Sequence, residues 1–346
     1  RLSVSNSSAC PAPADSSASS PLFPETEPYQ SGWLTLHQGH EIYYEQCGNP
    51  AGLPVLFLHG GPAGGLSPRQ RRFFDPARYR ICLLDQRGCG KSRPYGERQH
   101  NHTDALIDDI ERLRAHLHIE RWLIFGGSWG SALALAYASR HRQACLGLIL
   151  RGIFLTGQAD MDWFFEHARQ LLPDAWARFS AQVGQTESRA ILNAYTEALE
   201  NIETPAAQAA AQAWQFWETA LSSPGRTPPA VNRVDLETVR KYRLQASYLN
   251  RLCDLGESAV LHAAGQAASL PTVIVHGRLD WVCRPENAWR LSRHMPGSRL
   301  RLLAGAAHDP YSAPMLEALI SATNLFARDG HFEQWTADGK FDEPQI

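Results

Sequence analysis

Residues 126–130, Gly-Gly-Ser-Trp-Gly, directly follow the apolar run Trp122–Phe125, and the residues after them, Ser131–Arg140, have the pattern of a helix. In this strand–turn–helix setting, G-x-S-x-G predicts a nucleophile elbow. Such a turn is so tight that the residues two before and two after the serine must be small, and both are glycines here. The strained backbone exposes the hydroxyl of Ser128, and the following helix directs backbone N–H groups at an oxyanion. The alternative, a Gly-rich turn around a buried serine, is disfavoured by this context.

Apolar runs alternate with helical patterns along most of the chain. Because the runs are continuously apolar, they are typical of parallel strands covered by helices on both faces, which predicts an α/β fold with a mostly parallel sheet. Between Trp33 and Cys47, two alternating stretches around Gly39 predict an antiparallel pair at the sheet edge. The runs predicted as parallel strands are Val55–Leu58, Ile81–Leu84, Trp122–Phe125, Leu146–Leu150, Thr272–Val275 and Leu300–Leu303.

The alternation stops between about Phe154 and Gly265, where the sequence is helix-like and rich in Ala, Gln and Trp. We predict that residues 154–265 form a helical cap inserted over the end of the sheet, and that residues 21–153 and 266–346 form the α/β core. The tryptophans of the cap are interpreted as helix packing. Residues 1–20, which contain eight serines and no apolar segment of signal-peptide length, are predicted to be a disordered extension.

The composition excludes several classes of protein. The chain has 346 residues, of which 44% are hydrophobic and 20% charged, so coiled coils, collagens and wholly disordered chains are excluded. A formal net charge of -2 and the lack of a long apolar run predict that neither nucleic acid nor a membrane is a partner. Seven cysteines without a C-x-x-C pair are typical of free thiols in a reducing compartment, which predicts a cytoplasmic protein.

A serine nucleophile needs a base, and a carboxylate to orient that base, in the chain order Ser, then Asp or Glu, then His. Asp280 follows the predicted strand Thr272–Val275, and His308 lies beyond the run Leu300–Leu303. Both fall in loops at the carboxyl ends of predicted strands, where ligands bind in open α/β sheets. Either residue alone would be interpreted as a solvated loop residue, but position and order together predict that they form a triad with Ser128.

A Gly-rich turn at residues 59–65, His-Gly-Gly-Pro-Ala-Gly-Gly, follows another predicted strand. This turn can present a second backbone N–H to the oxyanion, in addition to that of Trp129. A phosphate-binding loop is rejected, because the Gly-Lys-Ser at residues 90–92 lacks the required earlier glycine, whose position is occupied by Asp85. No metal or other cofactor is predicted, because the paired histidines of the chain lack a third ligand.

Five motifs together resemble those of proline iminopeptidases, which are α/β-hydrolases that remove an N-terminal residue, preferentially proline, from peptides. The resemblance extends from about Pro21 to Arg328, and it is more specific than the elbow, which many esterases share. It implies an α/β-hydrolase fold and a serine aminopeptidase activity. The motifs are His59–Gly65, Asp85–Ser92, Gly126–Ser131, Leu150–Phe154 and His276–Cys283.

The resemblance also implies the roles of individual residues. Ser128, Asp280 and His308 match the family triad, and Gly61 with Trp129 matches its oxyanion hole. Phe154, Phe164, Tyr248 and Cys283 fall where the family forms its proline pocket. Gly64 is also implied to bind substrate.

An aminopeptidase must also hold the α-amino group of its substrate, whose pKa of about 8 keeps it mostly cationic at neutral pH. The resemblance implies that carboxylates of the cap do this. Glu218, in the pattern Trp-x-x-Trp-Glu, matches the first acidic position, whereas the second falls at Gln245, where an acid is expected. Two further departures, Ala63 and Ala307 where the family usually has glycine, each add a methyl group near the site.

These patterns predict a serine peptidase that releases an N-terminal residue, preferentially proline, through an acyl-enzyme. Its predicted partner is a small peptide or amide with a free N-terminus. Two alternatives remain open: a carboxylesterase or amidase of the same fold with relaxed amine recognition, and a homologue that binds a ligand without turnover.

Overall fold

The computed structural model describes residues 21–226 and 233–336, so the extension predicted at residues 1–20 lies outside the described residues. The described chain forms one sheet of eight strands. These are β1 (Gln30–Thr35), β2 (Glu41–Gly48), β3 (Leu53–Leu58), β4 (Tyr79–Leu84), β5 (Trp122–Gly127), β6 (Cys145–Arg151), β7 (Thr272–Gly277) and β8 (Arg299–Leu303). Their order across the sheet is β1-β2-β4-β3-β5-β6-β7-β8.

Most neighbouring strands of this sheet are parallel. The exceptions are β1 with β2 and β2 with β4, which pair antiparallel at one edge. From β4 onward every neighbouring pair is parallel, as continuous apolar strands joined by helical crossovers require. The predicted parallel sheet and its antiparallel edge are therefore confirmed.

Helices cover both faces of the sheet. The helices of the described residues are α1 (Thr103–His116), α2 (Trp129–Arg140), α3 (Gln158–Phe165), α4 (Pro173–Ala181), α5 (Ser188–Ala198), α6 (Pro205–Ser222), α7 (Leu236–Asn250), α8 (Gly256–Ala267), α9 (Pro285–His294) and α10 (Ala313–Asp329). Across these helices, no segment combines the length and the hydropathy that a membrane span needs.

The core is divided by the sheet into two apolar layers. On β5, Trp122 and Ile124 pack into one layer, whereas Leu123 and Phe125 pack into the other. This alternation follows from the period of two in a strand, and it explains why β5 is apolar at every position. Because both faces of β5 are covered, its carboxyl end, where the elbow begins, is held firmly.

Helices α3 to α7 pack mainly against one another, and they follow β6 in the chain. Trp214 and Trp217 of α6 are fully buried there among Phe165, Phe179 and Tyr195. Helix α8, the last helix of the segment predicted as a cap, packs against α2 and α9. The division into a core of residues 21–153 and 266–346 and a cap of residues 154–265 stays a prediction.

Candidate active site

The elbow lies between β5 and α2. Ser128 has a φ of 55° and a ψ of -124°, a conformation that residues with a side chain rarely adopt. The flanking glycines are required by space, because a Cβ atom at Gly126 would collide with the carbonyl of Gly130, and one at Gly130 with the carbonyl of Leu58. The backbone N–H of Ser128 donates to the carbonyl oxygen of Arg151 at 3.0 Å, which fixes the turn against β6.

Asp280 and His308 form a hydrogen-bonded pair. The Nδ1 atom of His308 lies 2.7 Å from Oδ2 of Asp280, and His308 lines the same cavity as Ser128. The other carboxylate oxygen of Asp280 accepts hydrogen bonds from the backbone N–H groups of Val282, at 3.0 Å, and Cys283, at 2.8 Å. Burial alone would raise the pKa of Asp280, but His308, the nearby His276 and the N–H of Cys283 hold the pKa below its usual value. The carboxylate is therefore ionised and oriented.

A second histidine supports this loop. His276 is completely buried, and its Nδ1 atom accepts the backbone N–H of Ile153 at 2.9 Å, so its Nε2 atom donates to the carbonyl oxygen of Cys283 at 2.8 Å. Burial lowers the pKa of His276, so the ring stays neutral. Sequence reasoning quoted His276 only within a motif, although its place at the end of β7 was the signal for a role beside Asp280.

Two residues near Ser128 have backbone N–H groups that could stabilise an oxyanion. Gly61 lines both cavities that contain Ser128, and Trp129 is the first residue of α2. Neither the N–H of Gly61 nor that of Trp129 donates a hydrogen bond within residues 21–226 and 233–336. A Cβ atom at Gly60 would lie 3.3 Å from Cβ of Ser128, so the Gly-rich turn approaches the serine closely. This arrangement can accept an oxyanion.

Gln86, in the Asp85–Ser92 motif, links the two parts of this arrangement. Gln86 accepts the indole N–H of Trp129 at 2.8 Å and donates to the carbonyl oxygen of His59 at 3.0 Å. The next residue, Arg87, forms a buried ion pair with Asp109 through contacts of 2.6 and 2.8 Å. The sequence analysis rejected this motif as a phosphate-binding loop and used it as a sign of the family, but it did not identify the contacts of Gln86 and Arg87.

A mostly apolar cavity lies beside Ser128. Phe154, Phe164 and Cys283, which the resemblance implied for the proline pocket, all line it. Tyr248 does not line it. Its ring packs against Trp129 with centroids 5.6 Å apart, and its hydroxyl donates to Asn101 at 2.6 Å. The other lining residues are Gly61, Asp160, Met161, Phe165, Glu218, Gln245, Leu249 and Val282.

Glu218 and Gln245 contribute the polar wall of this cavity. Glu218 on α6 accepts the amide N–H of Gln245 at 3.0 Å and the hydroxyl of Tyr242 at 2.8 Å, both from α7. The amide oxygen of Gln245 is buried and has no hydrogen-bond partner within the described residues. Burial and the charge of Glu218 raise the pKa of Tyr242 well above its usual value, so the phenol remains a donor. The lining therefore has two carboxylates, of which Asp160 already accepts hydrogen bonds from the amide of Asn287 and the backbone N–H of Leu155.

A second, more open cavity of about 940 Å³ shares Ser128, Gly61, Glu218 and Gln245 with the first. Gly64, predicted to bind substrate, lines this cavity. Its remaining lining residues are Gly60, Arg151, Gln215, Thr219, Ser222, Lys241, Tyr242, Val282 and His308. Both cavities are therefore lined by Ser128. The second is the more open of the two, and more of its lining residues are polar.

Known proteins are similar to this chain in both sequence and fold. The profile of the alpha/beta hydrolase fold matches residues 54–312. A probable proline iminopeptidase of Leptolyngbya boryana is 43% identical over 88% of this chain and 96% of its own length. A proline iminopeptidase of Xanthomonas citri is 42% identical over 88% of this chain and 99% of its own length.

Solved structures support the fold at lower similarity. An esterase from Exiguobacterium antarcticum superimposes with a TM-score of 0.55 at 20% identity, covering 86% of this chain and 100% of its own. A putative lipase from Acinetobacter baumannii gives a TM-score of 0.56 at 16% identity, covering 87% of this chain and 91% of its own. The identities of 42–43% to curated relatives and the match to the profile show that the chain belongs to the proline iminopeptidase family of the α/β-hydrolase fold.

Proposed function

We propose that this protein is a serine aminopeptidase that releases N-terminal proline from small peptides or amides. One observation carries the proposal: the mostly apolar cavity beside Ser128 has a carboxylate, Glu218, in its wall. An apolar pocket suits the methylenes of a proline ring, and a carboxylate suits the cationic nitrogen of a free N-terminus. An esterase needs the pocket but has no use for the charge.

In the proposed mechanism, His308 is the general base and Ser128 the nucleophile. Because Nδ1 of His308 donates to Asp280, its Nε2 atom is free to take the proton of the serine hydroxyl. The Oγ atom bonds to the carbonyl carbon, and the electron pair of the C=O bond moves onto the oxygen, which the N–H groups of Gly61 and Trp129 stabilise. The C–N bond then breaks as the imidazolium gives its proton to the leaving nitrogen.

Water completes the cycle. A water molecule attacks the prolyl ester while His308 takes one of its protons, and the proton then returns to the oxygen of Ser128 as proline leaves. Asp280 remains ionised throughout, because its pKa lies below the usual value, and it stabilises the imidazolium. These steps need no cofactor.

The neutral Gln245 favours a second candidate, an esterase or amidase with relaxed amine recognition. At this position the family resemblance leads us to expect an acid, but the chain has a neutral amide, which is bonded to Glu218 and lines the same cavity. This candidate uses the same triad and the same oxyanion hole. It differs from the aminopeptidase only in how strongly a free amine is preferred.

The test compares proline arylamide with N-acetylproline arylamide. The aminopeptidase should cleave the first and leave the second nearly intact, because acetylation removes the positive charge and adds bulk beside Glu218. Ser128→Ala should lower kcat for proline arylamide by on the order of 10^4-fold or more while the far-UV circular dichroism is unchanged. Similar rates for both arylamides would favour the second candidate, and full activity of Ser128→Ala would refute the mechanism.

A cytoplasmic location is part of the proposal. The six cysteines within the described residues are all free and buried, which supports a reducing compartment.

A further inference from the structure

The second cavity carries more positive than negative charge. Among its lining residues, Arg151 and Lys241 are cationic, and Glu218 is the carboxylate. Lys241 is half-buried on α7 and forms no ion pair within the described part of the chain, where its ammonium lies 5.0 Å from the ring centroid of Tyr242. Arg151 donates one N–H to the carbonyl oxygen of His308 at 3.0 Å. Lys241 is therefore the cation without a carboxylate partner, and Arg151 adds a second positive charge to the lining.

The leaving group of the substrate must occupy this cavity. In the proposed function, on which this inference rests, the first cavity takes the N-terminal residue. Only the more open cavity, which His308 lines, then remains for the part of the substrate beyond the scissile bond. His308 also gives its proton to the nitrogen of that part, so the nitrogen must lie close to the imidazole.

We propose that Lys241, assisted by Arg151, binds the α-carboxylate of the leaving amino acid, so that dipeptides with N-terminal proline are preferred substrates. A dipeptide carries one positive charge at its nitrogen and one negative charge at its carboxylate. Glu218 matches the first charge, and the two cations match the second. In a longer peptide the carboxylate lies farther from the scissile bond, and an arylamide has no carboxylate. In both cases the two cations have no carboxylate of the substrate to bind.

The half-buried position of Lys241 sets the size of the expected effect. An ion pair at the surface contributes little, but partial removal from water strengthens it. We expect a preference of about 5- to 10-fold in kcat/KM for a free carboxylate over its amide. Salt should weaken this preference, because screening acts on a cation that water still reaches.

The experiment measures kcat/KM for Pro-Gly and for Pro-Gly amide, which differ only in the terminal charge. The wild-type protein should prefer Pro-Gly, and Lys241→Gln should bring the ratio close to one. Lys241→Arg should keep the preference, because it keeps the charge. Lys91→Gln is the matched control, since Lys91 is exposed against Tyr43 and lines neither cavity. If Lys241→Gln does not fold, Lys241→Met, which keeps the aliphatic stem over Tyr242, replaces it.

Equal cleavage of Pro-Gly and its amide by the wild type would overturn the carboxylate site, as would a preference that survives Lys241→Gln or Lys241→Met. Proline arylamide, which has no carboxylate, separates this failure from that of the proposed function. If the arylamide is cleaved but the two dipeptide substrates are equivalent, the aminopeptidase stands and only the carboxylate site is refuted. If none of the three is cleaved, the proposed function itself fails.

Discussion

Amine recognition is tested directly by two single substitutions, one that removes the charge of Glu218 and one that adds a charge at position 245. In Glu218→Gln the side chain keeps its shape, but the substrate ammonium loses a charge-assisted contact and retains a neutral one. The difference between these two kinds of hydrogen bond is about 1–2 kcal/mol, which corresponds to roughly 5- to 30-fold in kcat/KM. We expect a loss of this size with proline arylamide.

The reverse exchange, Gln245→Glu, should give a gain of roughly 5- to 30-fold with the same substrate. In the native protein the amide N–H of Gln245 donates to one oxygen of Glu218, Gln245 lines the cavity, and its buried amide oxygen has no hydrogen-bond partner among the described residues. A second carboxylate at this position would face the first, and the pair would retain a proton until the substrate ammonium replaces it. The gain should therefore increase as the pH rises above the raised pKa of that carboxylate pair.

The assay compares proline arylamide with the arylamide of tetrahydrofuran-2-carboxylic acid, in which the ring nitrogen is replaced by oxygen. The two substrates share ring size and leaving group, so the ratio of their kcat/KM values isolates the charge. Glu218→Gln should reduce this ratio, whereas Glu197→Gln, the same change at an exposed position of α5, should not. If Glu218→Gln slows both substrates equally, Glu218 only supports the packing of α6 on α7, and the reasoning is refuted.

Two further predictions concern buried groups. Burial raises the pKa of Cys283 well above its usual value, so iodoacetamide should inactivate the enzyme slowly at neutral pH and faster as the pH rises. Proline should protect the enzyme from inactivation, and the Cys283→Ala variant should be resistant. A Cys283→Ala variant that is inactivated as fast as the wild type would contradict the assignment of Cys283 to the pocket. Asp109→Asn leaves the buried guanidinium of Arg87 without its charge partner and should cost about 3–5 kcal/mol in chemical denaturation, whereas Asp104→Asn, which breaks an exposed ion pair, should cost less than about 1 kcal/mol. Equal losses in these two variants would show that burial does not set the difference.

The fold was predictable because it depends on local patterns. Continuous apolar strands, the tight turn at Ser128 and the positions of Asp280 and His308 after strands can all be recognised from neighbouring residues. The parallel order of the strands then follows from the helical crossovers. Phe154 and Cys283, which lie three and six residues after the ends of β6 and β7, were assigned to a substrate pocket only through the family resemblance, and both line the cavity beside Ser128.

Contacts between distant helices were not predictable in this way. Gln245 and Glu218 are 27 residues apart on two helices, and their bond depends on how α6 and α7 are rotated against each other. The hydroxyl of Tyr242 reaches the same carboxylate because it lies three residues before Gln245, one helical turn away, but no local pattern identifies the acceptor. Tyr248 lies on the same helix, and its side chain reaches Asn101 instead of the cavity.

The order of the site residues along the chain has a consequence for engineering. Ser128 precedes α3 to α7 in sequence and Asp280 and His308 follow them, whereas Glu218, Lys241 and Gln245 lie within that segment. The triad and the polar residues proposed to hold the substrate amine are thus encoded in separate stretches of the gene. A randomised library restricted to codons 205–250 should yield variants that accept other N-terminal residues and still react with a fluorophosphonate probe at the serine.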